Sequence, residues 1–468
     1  MTRGSHRLAI VAVLVAVTAP LLLACCSGSA ATSTTTAAAG PAPTASVTTT
    51  ITEPDWSTTP SSGHHPDTTA STTTPLSSET IVSAADRGLF PVHVGEKWGL
   101  VDRTGAWVIQ PLYEYAPHFV DGLAAVGTVG PDGNRRSGYI NTTGTWVIEP
   151  KFEDAREFSE GLAPAAIRTP EDRVFWGFID KTGAWVIAPR FADAWPFSYG
   201  LAAVQAHAEV EKSDKYGFID RTGTWVIKPQ WTYANTFEAA GRIALVQNGN
   251  RIGYIDRSSK VLVKPRYNLA MAFSEGRAVV RVRVDSKTEI WGYIDTEAKE
   301  VIKPQYWQAW PFSNGLAMVR VDGKGSGYID RNGKLAFDRW FDQAYSFSGG
   351  MAAVLERDSE GRAYFAYIDT SGNTVIAPQF DVAGEFHAGI AAAGFYTNVP
   401  VDSGLDEVRL GYINSRGGWI IEPRFSYAEP FEDGLAWVRE GDREGYVDIT
   451  GAWVYSQPYE RPEDRGIM

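Results

Sequence analysis

The sequence predicts an all-β protein: a tandem array of ten three-stranded antiparallel units that forms either a propeller-like ring or an open β superhelix. Three observations lead to this fold class. A motif with an aromatic residue beside a glycine recurs about every 38 residues, as in repeat architectures. Each copy continues with a polar turn and then with the aromatic and β-branched residues that strands favour. These runs are apolar on both faces, so each small sheet needs a neighbouring unit on either side.

The segment YGFIDRTGTWVIKP, residues 216–229, shows the central hairpin of one unit. Asp220 opens the turn because its carboxylate accepts backbone N–H bonds, and Gly223 takes the positive φ that a side chain resists. Trp225 begins the next strand, which Pro229 ends because proline lacks the N–H group that a ladder needs. We therefore assign the recurring Asp and Gly to turn formation. The same pair occurs as Asp102 with Gly105 and as Asp180 with Gly183.

These ten copies resemble the WG-repeat (KWG-type) proteins of bacteria over residues 88–458, nearly the whole of the predicted folded part. A literal Trp-Gly pair occurs at Trp98, Trp176 and Trp291, while other copies carry different residues before the glycine. The resemblance implies an all-β repeat module, and it implies no particular chemistry.

The number of units leaves the choice between ring and superhelix open. Ten units exceed the about 4 to 8 blades of usual propellers, and three strands fall short of the four in a usual blade. Uneven loop lengths suit either arrangement. The array begins at Gly88 and ends after Trp453, so it contains ten whole sets of three strands.

The N-terminal residues 1–24 are predicted to be a lipoprotein signal peptide, with two arginines before an apolar run. The tetrad Leu22-Leu23-Ala24-Cys25 resembles the lipobox of bacterial lipoproteins, which implies lipid attachment at Cys25. A plain secreted protein or an uncleaved anchor are the alternatives. We expect an exported protein, lipid-anchored to the outer face of the bacterial cell membrane or cell envelope.

Three further segments complete the predicted organisation. Residues 25–82 are rich in Ser, Thr, Ala and Pro and lack the apolar side chains that ordering requires, which predicts a disordered tether. Residues 83–458 form the repeat domain, and residues 459–468 form a C-terminal tail. The tether would lift the repeat domain off the membrane.

Composition and motifs argue against several classes of function. The net charge of −12 argues against a nucleic-acid partner, because phosphate binding needs a basic surface. Both cysteines precede the repeat domain, which excludes a cysteine nucleophile or a thiolate zinc site there. The motifs G-x-S-x-G and H-E-x-x-H are absent. We expect no cofactor, no metal site and no enzyme activity, and we read the recurring Asp as a turn residue rather than a calcium ligand.

Aromatic residues outside the consensus are the candidates for ligand contact, because flat rings stack on sugars or hold peptides. Packing between units is their alternative role. The expected function is a surface platform that binds protein or cell-envelope glycan through loops of variable length. A hydrolase that acts on envelope polysaccharide through loop carboxylates and a purely structural spacer are the alternatives. The candidate contact residues are Trp195, Trp231, Trp307, Trp310 and Trp340.

Overall fold

The computed structural model describes residues 88–130, 133–400 and 406–459. The predicted signal peptide, the lipid-attachment residue Cys25, the tether and all of the C-terminal tail except Tyr459 lie outside these residues. The predictions for those segments therefore stay predictions.

Each unit is an antiparallel meander, so the fold class expected from the sequence is confirmed. The first strands are β1 (Leu89–Val94), β4 (Leu123–Val129), β8 (Ala163–Arg168), β11 (Ala202–Ala206), β15 (Ile243–Asn248), β19 (Arg277–Arg283), β23 (Ala317–Val321), β25 (Met351–Arg357), β29 (Ile390–Pro400) and β33 (Leu435–Glu440). The second strands are β2 (Lys97–Asp102), β5 (Arg135–Asn141), β9 (Val174–Ile179), β12 (Tyr216–Ile219), β16 (Arg251–Asp256), β20 (Glu289–Asp295), β24 (Gly325–Ile329), β26 (Ala363–Asp369), β30 (Asp406–Asn414) and β34 (Arg443–Asp448). The third strands are β3 (Trp107–Tyr113), β6 (Trp146–Phe152), β10 (Trp185–Ala194), β13 (Trp225–Trp231), β17 (Val261–Tyr267), β21 (Glu300–Tyr306), β27 (Thr374–Phe380), β31 (Trp419–Phe425) and β35 (Trp453–Pro458).

Several sheets gain a fourth strand from the segment that leads into the unit, which extends the three-stranded unit expected from the sequence. This strand pairs with the first strand and brings these sheets, except that of the seventh unit, which lacks a regular third strand, to the four strands that are usual in propeller blades. Strand β10 does the same by continuing into the next sheet, where its end pairs with β11. The additional strands that lead into units are β7 (Asp154–Ala155), β14 (Tyr233–Glu238), β18 (Leu269–Ala270), β22 (Gln308–Ala309), β28 (Val382–Ala383) and β32 (Tyr427–Ala428).

The glycine of the repeated motif is explained by the path of the third strand. Phe218 pairs with Ile227 and Ile219 pairs with Trp225, so the register shifts at a bulge between the two strands. The third strand approaches so closely there that a Cβ on Gly217 would overlap the carbonyl oxygen of Ile227. The same geometry recurs at Gly99, Gly138, Gly177, Gly253, Gly292 and Gly411.

The seventh unit departs from the predicted pattern. Its third strand is reduced to isolated bridges, which join Ser326 to Phe341 and Ile329 to Leu335. The segment reads KLAFDRWF, residues 334–341, where other units have a β-branched run followed by proline. Lys, Ala and Asp are weak strand formers, so a regular strand does not form at this place. The expectation that the proline of the other units ends the strand is wrong, because β13 continues past Pro229 to Trp231.

Adjacent units pack through two aromatic contacts that repeat along the array. The indole of Trp225 meets the ring of Phe191 in the preceding unit edge to face, with centroids 5.7 Å apart. The ring of Phe218 lies 4.9 Å from that of Phe237, which belongs to the segment leading into the next unit. Both contacts belong to apolar clusters that join neighbouring units. Equivalent indole contacts join Trp146 to Tyr113, Trp185 to Phe152 and Trp419 to Phe380.

The last unit packs against the first, so the repeat array closes on itself. The Tyr446 hydroxyl donates to the carbonyl oxygen of Pro91 at 2.9 Å, and the Gln457 amide donates to that of His93 at 2.8 Å. Residues of β1, β33, β34 and β35 share one apolar cluster. These contacts decide the question that the sequence left open, in favour of a ring.

The closing junction reuses a contact found between interior units. A cation next to the turn Asp of one unit pairs with an acidic residue at the start of the preceding unit. Lys181 reaches Asp121 in this way at 3.3 Å. At the junction Arg103 of the first unit pairs with Asp433 of the tenth at 2.5 Å. The ring is therefore closed by the same type of interface that stacks its interior units.

One large side chain distinguishes the closing junction. Phe90 in β1 lies opposite Val101, and its ring is 5.3 Å from that of Tyr446. Interior units fill the equivalent space with the phenylalanine that precedes the first strand. The nine other units carry alanine at the position of Phe90, namely Ala124, Ala163, Ala202, Ala244, Ala278, Ala317, Ala352, Ala391 and Ala436.

A short helix, α1 (Ala208–Glu211), lies in the loop between the first and second strands of the fourth unit. Among the described residues, no helix is long and apolar enough to cross a membrane.

Candidate functional site

The loops that join first and second strands lie at one edge of the stacked sheets, here called the loop edge. The repeated strand order places every such loop at the same end of its sheet. Neighbouring loops touch, since the His207 ring lies 4.4 Å from that of Phe175, and Arg173 forms an ion pair with Glu209. The opposite edge, here called the turn edge, carries the Asp–Gly turns. The loops whose lengths differ between units are therefore neighbours on one surface.

Large apolar side chains are exposed along the loop edge. Trp307 is 52% exposed, and Tyr115, two residues after β3, is 69% exposed. At the turn edge, Tyr199 and Ile449 are exposed. The valines at the start of third strands are exposed at the same edge, namely Val147, Val186, Val226, Val261, Val301 and Val375. Exposed apolar surface of this kind marks sites of interaction when it is contiguous. Further members of the loop edge are Val129, Val210, Val284, Phe395, Tyr396 and Tyr427.

The tryptophans proposed for ligand contact differ in their exposure. Trp307 is the most exposed of the five, and the Arg320 guanidinium lies 5.4 Å from its ring. Trp231 is buried in the apolar cluster between the fourth and fifth units, so its surface is used by packing. Trp310 and Trp340 are half-buried, and the Lys324 ammonium lies 5.5 Å from the ring of Trp340.

Trp195 belongs to a half-buried polar cluster that joins the third and fourth units. The Arg156 guanidinium lies between two indoles, 4.4 Å from the ring of Trp176 and 4.6 Å from that of Trp195. Arg156 donates to one carboxylate oxygen of Asp193 at 2.8 Å, and the Tyr216 hydroxyl donates to the other at 2.6 Å. Burial and then the Asp193 charge raise the pKa of Tyr216. One face of Trp195 is therefore covered by Arg156.

In each of the Asp–Gly turns, the carboxylate of the recurring Asp accepts hydrogen bonds from nearby backbone amides. Asp220 Oδ1 accepts hydrogen bonds from the Thr222 hydroxyl at 2.6 Å, from the Thr222 amide at 2.9 Å and from the Thr224 amide at 3.0 Å. The Thr222 hydroxyl makes the largest contribution to the lowered pKa of Asp220. Gly223 has a φ of +83°. The carboxylates of Asp102 and Asp180 make the same three bonds.

The comparison with protein families identifies the repeat. The sequence model described as "WG containing repeat" matches nine segments, which together cover more than half of the chain. The chain belongs to this family. The matched segments are residues 98–127, 138–167, 176–206, 216–251, 252–283, 291–324, 327–358, 365–393 and 411–443.

The segment that the family model defines as one WG repeat does not coincide with one sheet, because it begins one strand later than the sheet does. Each matched segment begins in or just before a second strand and ends in or near the first strand of the next unit. The strands that remain are β1 at one end and β34 and β35 at the other. Because Tyr446 of β34 binds Pro91 of β1, these remaining strands meet at the closing junction and together complete a tenth WG repeat.

Comparison with solved structures finds only distant similarity. BamB from Moraxella catarrhalis is 12% identical, with 78% of this chain and 95% of that chain covered and a TM-score of 0.24. The β-propeller domain of the Trilobed protease from Pyrococcus furiosus is 13% identical, covering 57% and 98%, with a TM-score of 0.27. The computationally designed Ika8 protein is 12% identical, covering 63% and 94%, with a TM-score of 0.30. Comparison of the sequence with curated proteins gives no match.

The partly buried acidic side chains of the WG-repeat ring are dispersed among several units. Within residues 88–130, 133–400 and 406–459, no group of three or more His, Cys, Asp or Glu is placed to hold a metal ion. Burial raises the pKa of Glu238, Glu385 and Glu429, which lie in the segments that lead into three different units. The Tyr427 hydroxyl donates to Glu429 at 2.9 Å.

A cationic cleft at the loop edge was not singled out from the sequence. It has a volume of ≈ 330 Å³ and lies beside the loop of the sixth unit. The signal was present in the segment RVRVDSK, residues 281–287, which carries three positive side chains within an acidic chain. Its principal lining residues are Arg281, Arg283, Lys287, Glu289, Trp291 and Trp307.

Proposed function

We propose that this protein is a non-enzymatic surface lipoprotein whose WG-repeat ring binds protein or cell-envelope glycan through the loop edge. One observation carries the proposal: unequal loops and the exposed aromatic side chains other than Tyr199 share one edge, whereas the other edge repeats a single turn. Stacking between units already buries the aromatic residues that the fold needs, as with Trp225 on Phe191. Exposed rings beside variable loops are the features that recognition surfaces use.

The proposed attachment rests on the N-terminal sequence. The apolar run before Cys25 supports export and lipidation, and the Ser/Thr-rich tether supports presentation of the ring away from the membrane. Replacement of Cys25 by Ser in the full-length precursor tests this. We expect the variant to leave the membrane fraction, and membrane retention equal to that of the unaltered protein would contradict lipid anchoring at Cys25.

Binding through the loop edge is tested with the mature full chain immobilised on beads. The probes are purified peptidoglycan fragments and detergent-solubilised envelope proteins, and retained material is quantified by mass spectrometry. We expect the triple variant Tyr115→Ser/Trp307→Ser/Tyr396→Ser to lose most of the retained material, because several contacts act together. The matched control is Tyr199→Asn, which removes an aromatic side chain of comparable exposure from the turn edge. Failure of the unaltered chain to retain either probe would contradict the proposal.

A further inference from the structure

We propose that the cleft between the sixth and seventh units is a subsite for an acidic saccharide. A sugar ring stacks on the indole of Trp307, and the carboxylate of the sugar is held by Arg283 and Lys287. This inference rests on the proposed function, because it assigns a ligand class to one part of the loop edge.

Trp307 occupies a position at which the fold does not need an aromatic residue. It directly follows the buried Tyr306 that ends β21, and its amide donates to the carbonyl oxygen of Arg320 at 2.9 Å. Thr232 makes the equivalent amide bond to Gln247 at 3.0 Å with a small side chain. The Arg320 guanidinium lies 5.4 Å from the ring of Trp307, and the half-exposed indole adds surface that the small side chain of Thr232 does not provide. The other residues at this position are Glu114, Glu153, Ala192, Asn268, Asp342, Asp381 and Ser426.

The charge of the cleft is opposite to that of the protein. Arg281, Arg283 and Lys287 face one lining carboxylate, that of Glu289, whereas the whole chain carries −12. Glu289 bonds both guanidinium groups, that of Arg281 at 2.8 Å and that of Arg283 at 2.8 Å. It thereby fixes their positions and leaves the cleft positive. A positive cluster in a negative protein attracts and orients an anionic group.

The cationic groups of this cluster that remain available to a ligand lie at its outer rim. The Lys287 ammonium has no ion-pair partner among the residues that the structure describes, and the Arg283 side chain is 51% exposed. The backbone of Lys287 is held by Asp285, whose carboxylate accepts the Lys287 amide at 2.8 Å. Two cations beside an exposed indole can therefore reach one carboxylate without displacing the ion pairs of Glu289.

Shape and chemistry favour a sugar over other anions. The cleft volume of ≈ 330 Å³ is at the lower end of the about 300–1,000 Å³ that small-molecule sites occupy. The amide of Gln308 and the hydroxyl of Ser286 line the same cleft and can bind ring hydroxyls. An acidic peptide would use the cations but has no need of Trp307, and an inorganic anion would use neither the indole nor these neutral groups. A carboxylated sugar ring uses all three features.

The test measures binding of a galacturonic acid oligomer to the mature full chain by calorimetry. A neutral galactose oligomer of the same length and a polyglutamate peptide serve as comparison probes. We expect the acidic oligomer to bind and the neutral one to bind at least tenfold more weakly. Binding should weaken as ionic strength rises, because the cations are partly exposed and salt screens them.

Variants assign the binding to the cleft. Trp307→Ser uses the residue that Ser426 supplies at this position in another unit, so the fold should be kept, and thermal unfolding verifies this. We expect binding to weaken about tenfold, as for loss of an aromatic anchor. The double variant Arg283→Gln/Lys287→Gln should weaken it to a similar extent. Tyr199→Asn at the turn edge should leave it unchanged.

Three results overturn the inference: no binding of the acidic oligomer, equal binding of the neutral oligomer, or binding of the acidic oligomer that survives Trp307→Ser unchanged. The double variant Tyr115→Ser/Tyr396→Ser separates this inference from the proposed function, because it keeps the cleft intact. If that variant loses envelope material while the acidic oligomer never binds, the cleft assignment fails and the loop-edge function stands. If the unaltered chain retains no envelope material at all, the proposed function fails.

Discussion

Replacing Phe90 by alanine perturbs the closing junction of the ring at the side chain that is particular to it. Phe90 is 3% exposed and packs in the cluster of Val92, Val101, Leu435 and Tyr446. Truncation of a buried phenylalanine to alanine costs about 3–5 kcal/mol, which includes the loss of the aromatic pair with Tyr446. Strand β1 should tolerate the change locally, because the other nine units carry alanine at this position. We therefore expect about 3 kcal/mol of destabilisation, confined to the junction.

Hydrogen exchange measures this loss at separate places along the ring. In Phe90→Ala, the amides of β1 and β34 should exchange with an opening free energy about 3 kcal/mol lower, and solution scattering should show a larger radius of gyration if the ring opens. The matched control is Phe312→Ala, since Phe312 is 1% exposed and lies 5.0 Å from Tyr293 inside the array. That variant should weaken protection around its own interface. Unchanged protection of β1 and β34 in Phe90→Ala, or equal loss there in the control, would refute the role of Phe90 in closure.

Three further predictions follow from local geometry. Asp220→Ala should lower the free energy of unfolding by about 1 kcal/mol, whereas Asp220→Asn should change it little in urea unfolding, because Asn141 accepts the same three bonds in the second unit. Equal losses in the two variants would contradict the turn assignment. Arg156→Gln should cost about 2 kcal/mol by leaving the Asp193 carboxylate without its cation, and a double-mutant cycle with Asp193→Asn should show coupling. Burial raises the pKa of six second-strand tyrosines. Because their pKa is raised in the folded state, they contribute their full stabilisation at a pH below the unfolded-state pKa near 10. Above that pH, the free energy of unfolding falls by about 1.4 kcal/mol per pH unit for each tyrosine. Alkaline titration followed by circular dichroism and tyrosinate absorbance checks this, and ionisation before unfolding would contradict it. These tyrosines are Tyr139, Tyr254, Tyr293, Tyr328, Tyr367 and Tyr412.

The repeat, the strand content and the turns could be predicted because they depend on residues that are close in sequence. Asp220 binds amides two and four residues away, and Gly223 has its positive φ whatever the rest of the ring does. The failure of the third strand in the seventh unit was missed because the repeat suggested ten equal copies. The composition of residues 334–341 carried the contrary signal.

The candidate site was less predictable than the fold. Five tryptophans looked alike in the sequence, but burial separates them, since Trp231 lies in the core and Trp307 in solvent. Exposure depends on what the neighbouring unit covers, and one unit's sequence does not state this. The cationic cleft was overlooked because its parts come from two units: the loop of Arg283 and Lys287 and the strand end at Trp307.

The sequence by itself determined that this protein is an all-β array of WG repeats with Asp–Gly turns, because those features arise from hydrogen bonds and backbone preferences within a few residues. Only the tertiary structure decided that the array closes. Closure depends on the small rotation between units, which accumulates around the ring until β34 meets β1. The hydrogen bond from Tyr446 to Pro91 joins residues 355 positions apart, and no local pattern encodes such a contact. The repeated strand order then places the variable loops along one edge of this ring, where we propose that the ligand binds.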